Sequence, residues 1–109
     1  MSNTIFNELN YVKVLLVEDD LNLRKVIKEL IEPYVNEIYE ASNGRDGLEL
    51  FTLNDVSLVI SDINMSVMGG TTMAGQIREL DEAVPIIFIT AYGCKPTKGL
   101  FSLSVLNQA

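Results

Sequence analysis

The sequence predicts an α/β fold with a doubly wound parallel sheet, and three observations carry that prediction. Four apolar segments have strand character: YVKVLLV from Tyr11, NEIYEAS from Asn36, DVSLVISD from Asp55 and VPIIFITA from Val84. The stretches between them carry helix starts and apolar residues at helical spacing. Connections of that length are crossovers rather than hairpins, and crossovers make consecutive strands parallel and right-handed.

The first strand is a β-branched and Leu run that stops at Glu18, Asp19 and Asp20, as expected of a strand buried on both faces. Leu23, Val26, Ile27, Leu30 and Ile31 then recur at helical spacing, with Asp20 as N-cap and Pro33 as stop. NEIYEAS is the second strand. The Asn43-Gly44 turn leads into a second helix over NGRDGLELF. DVSLVISD is the third strand, Met73, Ile77 and Leu80 mark a third helix beyond Gly69-Gly70, and VPIIFITA is the fourth strand.

Composition narrows the function. The 109 residues, 48% of them apolar, suffice for one compact domain, with a stability margin of ~5–10 kcal/mol. A net charge of −7, from 15 acids against 8 bases, disfavours direct nucleic-acid binding, which needs clustered Lys and Arg. Cys94 stands alone, so no internal disulfide forms. No leader-like N-terminus and no membrane-length apolar run is present, and a reduced cytoplasm with no membrane contact is expected. The absence of His removes the commonest transition-metal ligand and general base.

In a doubly wound sheet the ligand crevice lies outside the carboxyl ends of the strands. Those ends are Glu18 with Asp19, Ser42, Asp62, and Thr90 with Ala91. If the first and third strands are neighbours, Glu18, Asp19 and Asp62 converge, and like charges that close make one another harder to ionise. A divalent cation resolves the conflict: Mg²⁺ takes one or two carboxylates plus waters and offers its remaining positions to phosphate oxygens. Asp62 is then a candidate nucleophile forming an aspartyl phosphate, with the Thr90 hydroxyl bonding a phosphoryl oxygen. Taken singly, EDD before a helix is capping chemistry, Asp62 a turn former and Thr90 a strand residue. Their conjunction at adjacent strand ends favours the functional reading.

The segment from Val12 to Ala91 resembles the receiver domain of two-component response regulators. The likeness rests on VLLVEDD ending the first strand, ASNGRDGLELF after the second, DINMSVMGG around the acceptor and ITAYG ending the fourth. It implies a flavodoxin-like sheet of order 2-1-3-4 in which Asp62 is the phosphoacceptor. It also implies Mg²⁺ held directly by Asp19 and Asp62, through water by Glu18, and by the backbone carbonyl of Asn64, with Thr90 as the switch hydroxyl. The implied phosphodonor is a sensor histidine kinase, which suits a chain without His, and the change is relayed to a downstream effector. Such a domain is a signalling module rather than an enzyme.

Three departures qualify the resemblance. Ser66 replaces the usual Pro and Gly69 the usual Asn or Asp, and both are expected to loosen the loop after the acceptor. The family also continues past the Thr with a helix, a strand ending in Lys-Pro, and a last helix. Helices average ~11–12 residues and strands ~5–6, so the 18 residues after Ala91 cannot hold all three. The fifth strand and last helices are therefore expected to be missing or replaced by an atypical tail, altered naturally or in cloning. Lys95-Pro96 stands five residues past Thr90, making Lys95 a phosphate-pairing candidate against the alternative of a solvated loop lysine.

The expected organisation is a lead-in at 1–11, a receiver domain at 12–92 and the tail at 93–109. No acid follows Glu82, and Phe101, Leu103 and Val105 alternate with serines at strand period while Leu100, Leu103 and Leu106 sit near helical spacing. An incomplete sheet edge favours self-association or a tail folding back as a substitute strand. The main functional alternative is a pseudo-receiver that keeps the fold but does not switch. A haloacid-dehalogenase-type phosphatase would need Asp at position 64, which is Asn, and the glycines at 69, 70 and 75 match neither a dinucleotide fingerprint nor a P-loop.

Overall fold

The computed structural model describes residues 11–89 in full and the backbone of 90–91 and 101–105. Strand β1 (Lys13–Val17) lies between β2 (Glu37–Ala41) and β3 (Leu58–Asp62), parallel to both. On the far side of β3 runs β4 (Ile86–Ala91), also parallel. The order of these four is β2-β1-β3-β4, so the winding reverses between β1 and β3. Val14 to Val17 are all buried, which explains why these four residues of β1 are apolar without a break.

The tail resolves toward strand. Phe101–Val105 forms β5, antiparallel to β4, with Leu103 opposite Ile89 and Val105 opposite Ile87. The chain thus folds back to cover the edge of β4 rather than supplying a parallel fifth strand.

Helix α1 (Leu21–Ile31) starts where Asp20 Oδ1 accepts from the N–H groups of Asn22 at 2.9 Å and Leu23 at 3.1 Å, satisfying donors that the first turn otherwise leaves unpaired. It ends in a single 3₁₀ turn, Glu32–Tyr34, that contains Pro33. Its apolar stripe is only partly covered: Ile27 is buried, whereas Val26 and Leu30 are 50% and 67% exposed. Helix α2 (Gly44–Leu53) begins directly at Gly44, with Asn43 extended as its N-cap and accepting from Asp46 N at 2.9 Å. The Asn-Gly pair is therefore a helix start rather than a separate turn. A Cβ on Gly44 would meet Met68 O at 2.6 Å, so close approach of the neighbouring loop selects the glycine. Helix α3 (Gly70–Leu80) buries Met73 and Ile77 completely, while Leu80 points outward.

The core has two layers. Leu15, Val17, Val59, Ile86 and Phe88 pack with Met73 and Ile77 beneath α2 and α3. Val14, Leu16 and Ile60 pack with Ile27 on the opposite face, beneath α1. Each fully buried Leu, Ile or Met contributes ~1.5–3 kcal/mol of transfer free energy, and the alternation of Val14 and Leu16 with Leu15 and Val17 between the two faces fixes the register of β1.

Candidate functional site

The register does the placing. Val17 of β1 stands opposite Ser61 of β3, so the next residues, Glu18 and Asp62, leave the sheet at the same level. Glu18, Asp19 and Asp62 each offer a carboxylate oxygen within 4.8 Å of the others. Glu18 is 3% exposed, Asp62 half-buried and Asp19 exposed, which gives a pocket with a buried floor and an open rim.

Asp20, third in the acidic run, is spent on capping α1, and its own N–H donates to Glu18 Oε2 at 3.1 Å. Burial pushes the Glu18 carboxyl up to about 7, against that stabilising N–H and with help from the charge of Asp62 and the proximity of Asp19. Asp62 is also raised, first by burial and then by Asp19, although the N–H groups of Ile63 (2.8 Å to Oδ1) and Asn64 oppose the shift. Among the described residues no Lys or Arg forms an ion pair with any of the three; the ion pairs present involve Glu40. Three converging carboxylates without a counter-charge, all hard oxygen donors, fit a hard divalent cation such as Mg²⁺.

Close packing shapes the pocket floor. Ser61, buried, donates its hydroxyl to Asp62 O at 2.7 Å. A Cβ on Gly70 would come within 2.0 Å of that same carbonyl, so α3 reaches the end of β3 only with glycine at its first position. The loop between is held by backbone bonds from Gly70 N to Ile63 O (2.7 Å), Met68 N to Ser66 O (2.7 Å) and Gly44 N to Met68 O (2.9 Å). Gly69 has φ −76°, and a Cβ there would meet Ile63 O at 3.2 Å. Val67 takes φ 68°, a left-handed conformation unfavourable for a β-branched side chain.

Of the remaining sequence candidates, Asn64 lies in this loop. Thr90 is the penultimate residue of β4, one position beyond the level of Asp62, since Asp62 is opposite Ile89. Lys95 lies outside the described residues. Sequence reasoning missed Arg24, whose Nη1 donates to Glu18 O at 2.7 Å while Nε contacts Glu40 Oε1 at 3.2 Å. Its position one turn past the Asp20 cap was the available signal.

Comparison with known proteins agrees with this fold. The model of the response regulator receiver domain matches residues 14–100. The transcriptional regulatory protein SrrA of Staphylococcus aureus is 35% identical over 74% of this chain and 33% of its own length. The probable transcriptional regulator ycf27 of Cyanophora paradoxa is 29% identical over 79% of this chain and 36% of its own. The chain thus spans about a third of the curated relatives it matches. Among solved structures, the response regulator TrrA of Thermotoga maritima in complex with Mg²⁺-BeF is 36% identical, with a TM-score of 0.69 over 80% of this chain and 76% of that one. TrrA in complex with the histidine kinase ThkA is 38% identical, with a TM-score of 0.67 over 75% and 71%. On these matches, and on the order of its four parallel strands, the chain belongs to the response regulator receiver domain family.

Proposed function

We propose that the chain accepts a phosphoryl group on Asp62 in a Mg²⁺-dependent reaction and passes the resulting change to a partner. The observation that carries this reading is the convergence of Glu18, Asp19 and Asp62 on one pocket within 4.8 Å. Asp62 supplies the oxygen that attacks phosphorus as the P–N bond to the donor's histidine breaks and leaves that imidazole free, and the N–H of Ile63 on Oδ1 orients the carboxylate. Asp19, Asp62 and the Asn64 carbonyl would hold the cation, with Glu18 supporting them from the buried floor. When bound, Mg²⁺ neutralises charge on the carboxylates and on the transferred group. Thr90 is the hydroxyl assigned to the phosphoryl oxygen, and Lys95 the cation assigned to pair with it.

The matched proteins support the donor. TrrA was crystallised with Mg²⁺-BeF and with the histidine kinase ThkA, so a sensor histidine kinase is the phosphodonor class and an effector protein or domain the recipient. No described helix is long and apolar enough to cross a membrane, and a cytoplasmic site of action follows from the family. A second reading, a receiver that keeps the fold but is phosphorylated poorly, is favoured by the lack of any ion-paired cation at the three acids among the described residues.

Intact mass after incubation with Mg²⁺ and a small acyl phosphate separates the two. The proposal expects a phosphate-sized gain, dependent on Mg²⁺ and absent in Asp62→Asn. No gain at long times favours the non-switching module.

A further inference from the structure

The three carboxylates stand at the ends of β1 and β3, and α2 supplies none of them. Yet the first residue of α2 is in main-chain contact with the loop that joins β3 to α3. Gly44 N donates to Met68 O at 2.9 Å. A Cβ at position 44 would meet Met68 O at 2.6 Å, and Gly69 O and Met68 Cγ each at 3.0 Å. All three obstacles belong to that loop. Gly47, about one turn further along, differs: a Cβ there would meet the side chains of Met73 and Val17, so that glycine serves core packing. The bond also suits the helix. The first N–H groups of a helix have no partner within it, and the Asn43 side chain takes the N–H of Asp46, which leaves the Gly44 N–H to Met68 O.

On the loop side the same contact holds a strained turn. Met68 N donates to Ser66 O at 2.7 Å, which closes a three-residue turn about Val67. With φ 68° at Val67, this is the rare and strained sense of such a turn. Val67 is 68% exposed, so packing of its side chain does not impose that backbone. The main chain of Met68 does: its N–H closes the turn and its carbonyl is the group bonded to Gly44. At the base of the loop Gly70 N bonds Ile63 O at 2.7 Å, and between the two fastenings lies Asn64. The N–H groups of Ile63 and Asn64 both bond the Asp62 carboxylate, so the shape of the loop sets the orientation of that side chain.

We infer that Gly44 is a positioning residue for the cation site: by holding Met68 it keeps the turn at Val67 closed, and so fixes the loop that carries Asn64 and orients Asp62. The inference rests on the reading of Asp19, Asp62 and Asn64, backed by Glu18, as that site. Gly44 acts through main-chain shape alone, since it has no side chain with which to reach an ion. Mg²⁺ makes such a role consequential, because it demands near-ideal octahedral geometry and tolerates little displacement of its ligands. Two substitutions open the same turn from opposite ends. Gly44→Ala pushes Met68 away from α2, and Val67→Pro fixes φ at about −65°, which the turn excludes.

Calorimetric titration of Mg²⁺ into the full 109-residue chain, Gly44→Ala, Val67→Pro and the double variant tests it, with far-UV circular dichroism to confirm the fold and Gly75→Ala as the control in open space. Each single substitution should weaken Mg²⁺ binding about tenfold or more. The double variant should bind no more weakly than the weaker single one, because both act through one turn. In the cation-free proteins, hydrogen exchange at the Met68 N–H should quicken in both single variants while the amides of β1 keep their protection. Val67→Pro alters an exposed position and decides the matter alone where Gly44→Ala does not fold. Saturable binding by the unaltered chain that neither substitution weakens overturns the positioning role and leaves the cation site standing. So do losses that add in full, which would make the two substitutions independent defects. A flat titration of the unaltered chain removes the cation site itself, and this role with it.

Discussion

The guanidinium of Arg24 donates to the main-chain carbonyl of Glu18 at 2.7 Å, tying the first turn of α1 to the end of β1 directly behind the carboxylate pocket. The same side chain pairs with Glu40 of β2 at 3.2 Å, and Lys28 holds the other Glu40 oxygen at 3.0 Å. Arg24→Ala should lower stability by about 1–2 kcal/mol, the carbonyl bond outweighing the half-exposed ion pair, and should weaken cation binding by displacing the Glu18 main chain. Arg24→Lys should not rescue it, because one ammonium cannot serve both partners in the planar geometry of a guanidinium. Urea unfolding of the three proteins checks this.

Glu18 predicts an unusual pH dependence. Its carboxyl rises from an ordinary value near 4.5 to about 7 in the folded chain, so between those values the native state holds a proton that the unfolded chain has released. Stability then falls as pH rises through that window, and it stays lowest above it. Melting of the cation-free protein should drop by several degrees from pH 5 to pH 7.5. Glu18→Gln should flatten the profile. Excess Mg²⁺ should reverse the loss above pH 7, where the carboxylates are ionised and bind the ion.

Val67 at φ 68° stores strain in the loop beside Asp62. Asn accepts a left-handed conformation more readily than a β-branched residue, so Val67→Asn should stabilise the chain by about 1 kcal/mol. Val67 is 68% exposed, and little packing is lost in the exchange. An unchanged or lower urea midpoint would contradict the strain assignment.

Gly70→Ala should act in the opposite sense. The added methyl would fall 2.0 Å from Asp62 O, forcing α3 or the loop after β3 outward, with a loss of about 1–3 kcal/mol and a displaced Asp62 carboxylate. Gly75→Ala, where a Cβ meets nothing within 4 Å, is the control and should be neutral or mildly stabilising.

Much of this arrangement was legible in the sequence. Four runs of apolar residues, the Asp20 cap, and acids placed where two strands end were enough to bring Glu18, Asp19 and Asp62 together, because topology alone sets which strand ends are neighbours. What sequence left open depended on contacts between distant segments. Val26 and Leu30 have the spacing of core residues but lie exposed, since periodicity reports which side of a helix is apolar and not whether anything covers it. The tail read equally as helix or strand until pairing with β4 decided for strand. Val67 carries no local mark of its left-handed backbone, which the surrounding loop hydrogen bonds impose, and Arg24 gained its role only when β1 and β2 were set side by side.

The central claim is that the ends of β1 and β3 form one divalent-cation site. Calorimetric titration of Mg²⁺ at neutral pH tests it most directly, comparing the unaltered chain with Asp19→Asn, Asp62→Asn and Glu18→Gln. Saturable binding of one ion per chain is expected, abolished by either Asp substitution and weakened by Glu18→Gln. A flat titration of the unaltered chain, or binding indifferent to all three substitutions, would contradict the account.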